Sequence, residues 1–202
     1  MRYLLSSLIL VLFVSCASYP KKMRFSETDS KQKKITNPFF SDTTNDYVYK
    51  ANIEAFGNSF GGIFIVKKLG EDHHRIAFTT EMGNKIFDFT FKGEGFKVNH
   101  ILKKMDRKIL ISVLKNDFRV LVKEKPSIEK AFQKGSNAIY ETRIGTKKYY
   151  HFLSKEELAK VVRTVNGNEK VEFTFSKIND NIAQHIQILH HNIKLEISLK
   201  SI

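Results

Sequence analysis

The chain has one cysteine, Cys16, and no tryptophan in 202 residues. A lone cysteine closes no intramolecular disulfide and builds no multi-cysteine metal site, so stability must come from burial. Acidic residues are scarce: 21 Asp and Glu stand against 34 Lys and Arg, a formal net charge of +13. Such a balance can mark a partner of polyanions. The cations are mostly lysine, however, and bidentate reading of bases and phosphates favours arginine, so nucleic acid is not expected. Two causes of the basic balance stay open. One is A/T-rich coding bias, since Lys, Ile, Asn and Phe are all abundant; the other is attraction to anionic lipid head groups. No HExxH or other zinc spacing appears, and no phosphate loop or dinucleotide fingerprint. Gly93-Glu94-Gly95 lacks the helix such a fingerprint needs. His73-His74 and His190-His191 fall at expected turns, where neighbouring side chains point oppositely. Gly57-Asn58-Ser59-Phe60-Gly61 matches the letters of a nucleophile elbow, but that motif needs a helix after the serine. Here Gly62 to Lys68 reads as a strand, so two glycines around a polar pair fit a hairpin better. No enzymatic activity, catalytic residue, metal or cofactor is expected.

The apolar run from Leu4 to Val14 is short. A secretory signal needs a positive start, about 7–15 apolar residues and small residues at the cut. Arg2, the run and Ser15 supply these. A spanning helix needs about 20 apolar residues, and Pro20-Lys21-Lys22 ends any extension. These residues resemble a bacterial lipoprotein signal peptide with Phe13-Val14-Ser15-Cys16 as the lipobox, Phe13 standing where that motif usually has leucine. The resemblance implies removal of residues 1–15 and a Cys16 carrying diacylglycerol and an amide-linked acyl chain. More than one acyl chain anchors firmly where a single one binds marginally. An ordinary secreted protein with a cysteine near its cleavage site is the alternative. Ala17-Ser18-Tyr19-Pro20-Lys21 has no acidic residue and no Asp follows Cys16, a pattern that resembles periplasm-facing outer-membrane lipoproteins. Residues 16–45 then read as the lipidated cysteine and a basic flexible tether. Lys21, Lys22, Arg24, Lys31, Lys33 and Lys34 concentrate there without an apolar period, so no structure is expected.

Residues 46–202 read as one domain. Tyr47, Tyr49, Ala51, Ile53 and Ala55 alternate with polar residues. Phe87, Phe89 and Phe91 do the same around Asp88 and Thr90, as do Val171, Phe173 and Phe175. Strands also fit residues 62–69, 74–80, 96–101, 138–143, 147–153, 159–164, 182–189 and 193–199. Ser154-Lys155-Glu156-Glu157 fits a helical turn. Between the two sets of strands Ile109, Leu110, Val113, Leu114, Phe118, Leu121 and Val122 follow helical spacing. Asp106 is a candidate N-cap and Pro126 stops the run. A membrane-surface helix is the alternative to a core helix there. The expected fold is mainly β (α+β): a strongly curved antiparallel sheet, a half-barrel of about ten strands, wrapped on one long amphipathic helix. A flat sheet of this width tends to curl, and 17 Phe without Trp suit an apolar interior.

Met82 sits at a predicted hairpin tip, in Glu81-Met82-Gly83-Asn84, where polar residues are usual. It either folds back on its hairpin or probes lipid. From Tyr47 to Ile202 the chain resembles the LolA/LolB half-barrel family of lipoprotein carriers and receptors. The residues that carry this are the segment Arg75 to Gly83, similar to a LolB strand ending in a protruding loop, and the closing hairpin Ile186 to Leu199. The chain departs from LolB-type sequences in having no tryptophan and in placing Met82 where they have leucine. The resemblance implies a concavity that holds acyl chains, with Phe87, Phe89, Phe91, Leu110, Val113, Leu114, Phe118, Phe173 and Phe175 as its candidate lining and Met82 as the membrane or lipid contact. It implies an outer-membrane-anchored, periplasmic lipoprotein that receives and inserts lipoproteins, with membrane lipids, lipoprotein acyl chains and a periplasmic carrier as partners. A structural or interaction subunit of a cell-envelope complex, without a lipid ligand, is the alternative.

Overall fold

The computed structural model of the chain describes residues 17–202. Cys16 and segment 1–15, on which the lipidation expectation falls, lie outside the described residues. The elements run α1 (Tyr19–Met23), β1 (Ser26–Thr28), β2 (Asp46–Ala55), β3 (Asn58–Gly70), β4 (His73–Thr79), β5 (Lys85–Lys92), β6 (Gly95–Ile101) and α2 (Lys108–Val122). They continue with β7 (Ile128–Lys134), β8 (Asn137–Ile144), β9 (Lys147–Ser154), β10 (Glu157–Val165), β11 (Asn168–Asn179), β12 (Ile182–His190) and β13 (Leu195–Ser201). The protein is mainly β. Among the described residues thirteen strands form one antiparallel sheet in the order β1-β7-β8-β9-β10-β11-β12-β13-β2-β3-β4-β5-β6. The last strand pairs with the first long one, Ile197 opposite Ile53, which joins the two halves into one surface. β1 and β6 remain as edges, so the sheet does not close.

The contacts of α2 show that the sheet curls. Phe118 lies 5.6 Å from Phe87 of β5, ring to ring. Its neighbour Asp117 bonds His190 of β12 at 2.7 Å. β12 and β5 are five steps apart in the sheet, about 24 Å if the strands lay flat at ~4.8 Å spacing. Two consecutive helical residues reach both only if the strands bend around them. The concave face carries the main core, to which Phe64, Val66, Ile76, Phe78, Phe173 and Ile188 contribute. On the convex face a smaller cluster of Tyr19, Phe132, Ile139, Tyr150 and Val162 sits under α1. Tyr149 and Val161 face the first core while Tyr150 and Val162 face the second, as alternation along a strand requires.

Several expectations need correction. The strand count is thirteen rather than about ten. β1 and β7 escaped notice because their apolar alternation is weak: β1 is fully exposed, and β7 buries only Ala131 and Phe132. The helix has fifteen residues with Arg107 rather than Asp106 at its N-cap, some 22 Å long at 1.5 Å per residue. The sheet is therefore not wrapped on one long helix; α2 covers part of the concave face and shares it with residues 35–40. The segment 154–157 is a hairpin turn between β9 and β10, with Lys155 and Glu156 at positive φ, and not a helical turn. Among the described residues no helix is long and apolar enough to cross a membrane.

One buried histidine sets a pH limit on this fold. His151 of β9 is buried, its Nε2 3.2 Å from the Thr142 hydroxyl. Burial pushes its imidazole down to about 3. The unfolded chain takes up that proton near pH 6.5, so the stability this group contributes is complete above pH 6.5 and is lost as pH falls toward 3. The slope is about 1.4 kcal/mol per pH unit. Denaturant titrations between pH 7 and pH 4 should show this decline, and His151→Leu should reduce it, leaving the smaller share of the buried His74. An unchanged slope in that variant would place the acid sensitivity elsewhere.

Candidate functional site

Phe87, Phe89 and Phe91 project from β5 onto the concave face because alternate residues share a side. Phe87 and Phe89 stack at 4.6 Å and 10°. Phe118 enters beside them from α2, with its ring 5.2 Å from Phe64 and 5.6 Å from Phe87. Leu110, Leu114 and Phe118 recur every four residues, so one stripe of the helix faces the sheet; Val113 lies at its half-buried margin. Phe173 and Phe175 of β11 belong to the same core. The ring stacked on Phe175 is Phe39, at 4.7 Å. The concave face is thus filled: eight of the nine expected lining residues are 4 % exposed or less.

Part of that filling comes from the segment expected to be a flexible tether. Residues 35–40 run into the concavity. Phe40 lies 5.2 Å from Tyr47 and 5.9 Å from Tyr49. Asn37 donates through Nδ2 to the Leu121 and Lys123 carbonyls at 2.9 and 3.3 Å, and its Oδ1 accepts the Phe39 N–H at 3.1 Å. His74 Nε2 lies 3.0 Å from the Phe40 carbonyl, and burial pushes this imidazole down. Residues 17–25 strap the convex face instead. Tyr19 packs on Tyr150 at 4.7 Å and donates its hydroxyl to Glu169 at 2.6 Å. Gly167 makes room for the strap: a Cβ there would stand 2.6 Å from the Ala17 carbonyl oxygen.

Polar attachments hold α2 at three points. Asp117 and His190 form a buried pair at 2.7 Å; burial pushes the Asp117 carboxyl up, against the pull of His190. Arg119 forks onto the Gly93, Glu94 and Gly95 carbonyls at 2.7, 2.9 and 3.0 Å. Asn37 is the third. His190 Nδ1 and Arg163 Nε are buried without a hydrogen-bond partner among the described residues. His190 also backs a solvent-open recess of about 520 Å³ between the β2–β3 turn and the β12–β13 hairpin, edged by Glu54, Ser59, Ile193 and Lys194. The four histidines expected at turns therefore differ: His74 of β4 and His190 of β12 are buried, His73 is half-buried and His191 is exposed.

Met82 stands apart from the concavity, at the tip of the β4–β5 connection, and is 91 % exposed. The Thr80 N–H donates to the Asn84 carbonyl at 2.8 Å, and the Gly83 N–H donates to the Thr80 carbonyl at 2.9 Å. The hairpin beneath is braced by Asp88, which accepts both Arg75 Nε at 2.9 Å and Arg75 Nη2 at 2.6 Å. That guanidinium holds the Asp88 carboxyl well below the usual range. Ser59 lies within β3 and donates its hydroxyl to Asn52 Oδ1 at 3.0 Å, so the strand–turn–helix context of a nucleophile elbow is not met. Glu169, Glu172 and His191 bring ligand atoms within 4.8 Å of one another, a grouping hidden from sequence because it joins β11 to the loop after β12. Both carboxylates already accept hydrogen bonds, Glu169 from Tyr19 and Glu172 from Lys160.

No family model and no curated protein matches the chain. Among solved structures, the LolA superfamily protein NE2245 from Nitrosomonas europaea superposes with a TM-score of 0.53 at 11% identity, over 82% of this chain and 88% of that one. A DUF1329 family protein from Desulfovibrio piger covers 80% of this chain and 85% of its own at 8% identity, with a TM-score of 0.42. The chain therefore has the LolA/LolB-like fold.

Phe40→Ala should lower the unfolding free energy by about 3–5 kcal/mol, and the Asn37 and Phe39 amides, bonded to the Glu124 carbonyl and to Asn37 Oδ1, should exchange as slowly as those of β2. A change below about 0.5 kcal/mol, the range of surface substitutions, would return this segment to the status of a tether.

Proposed function

We propose that the protein is an outer-membrane lipoprotein, lipidated at Cys16 and facing the periplasm, that receives acyl chains between α2 and the concave sheet in LolB-like fashion. The carrying observation is how α2 is held. Its apolar stripe covers a phenylalanine-rich face, while its fixed attachments are few and polar. Burying Leu110, Leu114, Phe118 and Leu121 is worth about 1.5–3 kcal/mol each, or roughly 6–12 in all. A long acyl chain gains about 0.8 kcal/mol per buried methylene, on the order of 10 for the chain. The two terms are comparable, so an acyl chain can replace the helix without being trapped. Transfer to a membrane needs that balance. The LolA-type fold supports the reading, and so does the lipobox-like sequence ending at Cys16. In this reading Phe87, Phe89, Phe91, Phe173 and Phe175 line the acyl site, Val113 marks its margin, and Met82 touches the membrane or the incoming lipid. The cargo reaches it from a periplasmic carrier.

A second reading is favoured by the filled interior: an interaction subunit of an envelope complex with no lipid ligand. The absence of native tryptophan makes the two separable. Phe118→Trp and Val113→Trp each install a single reporter. Bromine-labelled acyl lipid should quench both if chains enter beside α2. Correctly folded variants that stay unquenched would favour the ligand-free subunit. Met82→Glu should impair lipoprotein insertion in a strain depleted of the wild-type protein; normal insertion would remove Met82 from the mechanism.

A further inference from the structure

The loop between β6 and α2 concentrates charge in a way the fold does not use. Lys103, Lys104, Arg107 and Lys108 put four cations into six residues, with Asp106 as the acid among them, and all five are exposed. None of the four cations makes an ion pair or a side-chain hydrogen bond among the described residues. Many lysines elsewhere are matched, as in Lys50–Glu81, Lys67–Asp46 and Lys68–Glu124. Large apolar side chains flank this loop in the open. Ile109, on the first turn of α2, is 70% exposed, and Leu102 is 38% exposed. The Leu102 N–H donates to the Ile86 carbonyl at 2.7 Å, and His100 Nε2 lies 3.2 Å from the Lys85 carbonyl. The loop is thereby pinned against the base of the hairpin that carries Met82.

We infer that this corner is a docking surface for an anionic bilayer, with Lys103, Lys104, Arg107 and Lys108 on lipid phosphates and Ile109, Leu102 and Met82 among the acyl chains. Charge complementarity selects the partner: each cation near an anionic leaflet contributes binding of about fivefold at low salt. The apolar groups select a bilayer over an acidic protein. Exposed at loop and turn positions beside the cations, they suit insertion between lipids. Docking does not depend on acyl binding in the concavity. It does bear on it, because the docked loop leads directly into α2, and the leaflet would hold the end of the helix that covers the sheet.

The test rests on the proposed lipidation of Cys16 and uses the full-length protein reconstituted into vesicles, with co-flotation of every variant checking that anchoring is constant. Ile109→Trp reports the corner. Leu69→Trp, near the C-terminal end of β3 and at the opposite end of the β3–β4 pair from Met82, is the control. With bromine-labelled lipid, vesicles of equimolar phosphatidylcholine and phosphatidylglycerol should quench the reporter at position 109 and not the one at position 69. Pure phosphatidylcholine should quench neither. Replacing the four cations by glutamine in the Ile109→Trp protein should abolish the quenching while the protein stays anchored. Three outcomes would overturn the inference: no quenching at position 109 on anionic vesicles, equal quenching at both positions, or quenching that survives loss of the four cations. Failure here would leave acyl binding beside α2 untouched, since that reading is read out at positions 113 and 118.

Discussion

The fold depends on the covering of one apolar concave face. A sheet of this width, with phenylalanines on alternate positions of β5 and β11, curls and presents a surface that water cannot be left to wet. Closing the barrel would solve the problem, but β1 and β6 stay apart. The chain instead supplies two inserts. α2 covers the region around Phe64, Phe87 and Phe89, and Phe39 and Phe40 cover the region around Phe175, Tyr47 and Tyr49. Asn37 ties the inserts together through the last carbonyls of the helix. A concavity covered by inserts from outside the sheet is a different object from a core formed by a closed barrel, because its cover comes from separate segments of the chain.

Two buried carboxylates, Asp88 and Asp117, anchor opposite faces of the sheet. Asp88 and Arg75 sit on the convex side and fix the β4–β5 hairpin rigidly. Asp117 and His190 sit on the concave side, on the helix itself, and are buried. Separating the two would leave buried polar groups without a hydrogen-bond partner, which is costly. The pair therefore defines one seat for α2. Part of the basic excess lies in the loop into α2, where four cations have no ion pair among the described residues.

Much of this was legible in the sequence because it is periodic. Phe87, Phe89 and Phe91 or Phe173 and Phe175 announce their face by period two, and Leu110, Leu114 and Phe118 by helical spacing. Met82 was legible as an apolar residue where a turn should be polar. The N-terminal insert was not, because Phe39 and Phe40 are adjacent, lie in a polar stretch and show no period; their burial comes from tertiary contacts with β2 and β11. The pairing of Asp117 with His190 was hidden by 73 residues of separation, and His190 looked like half of a solvated turn. The helix was expected to fill part of the concavity; that residues 35–40 would complete the filling was equally invisible. Composition and pattern report which faces are apolar, not what lies against them.

The central claim is that α2 occupies the place of an acyl chain. The most direct measurement is a crystal structure of the protein with a triacylated cysteine peptide. The account predicts acyl density against Phe87 and Phe89, with Phe118 displaced and the Asp117–His190 contact broken. Density confined to the outer surface, with α2 seated as before, would contradict it.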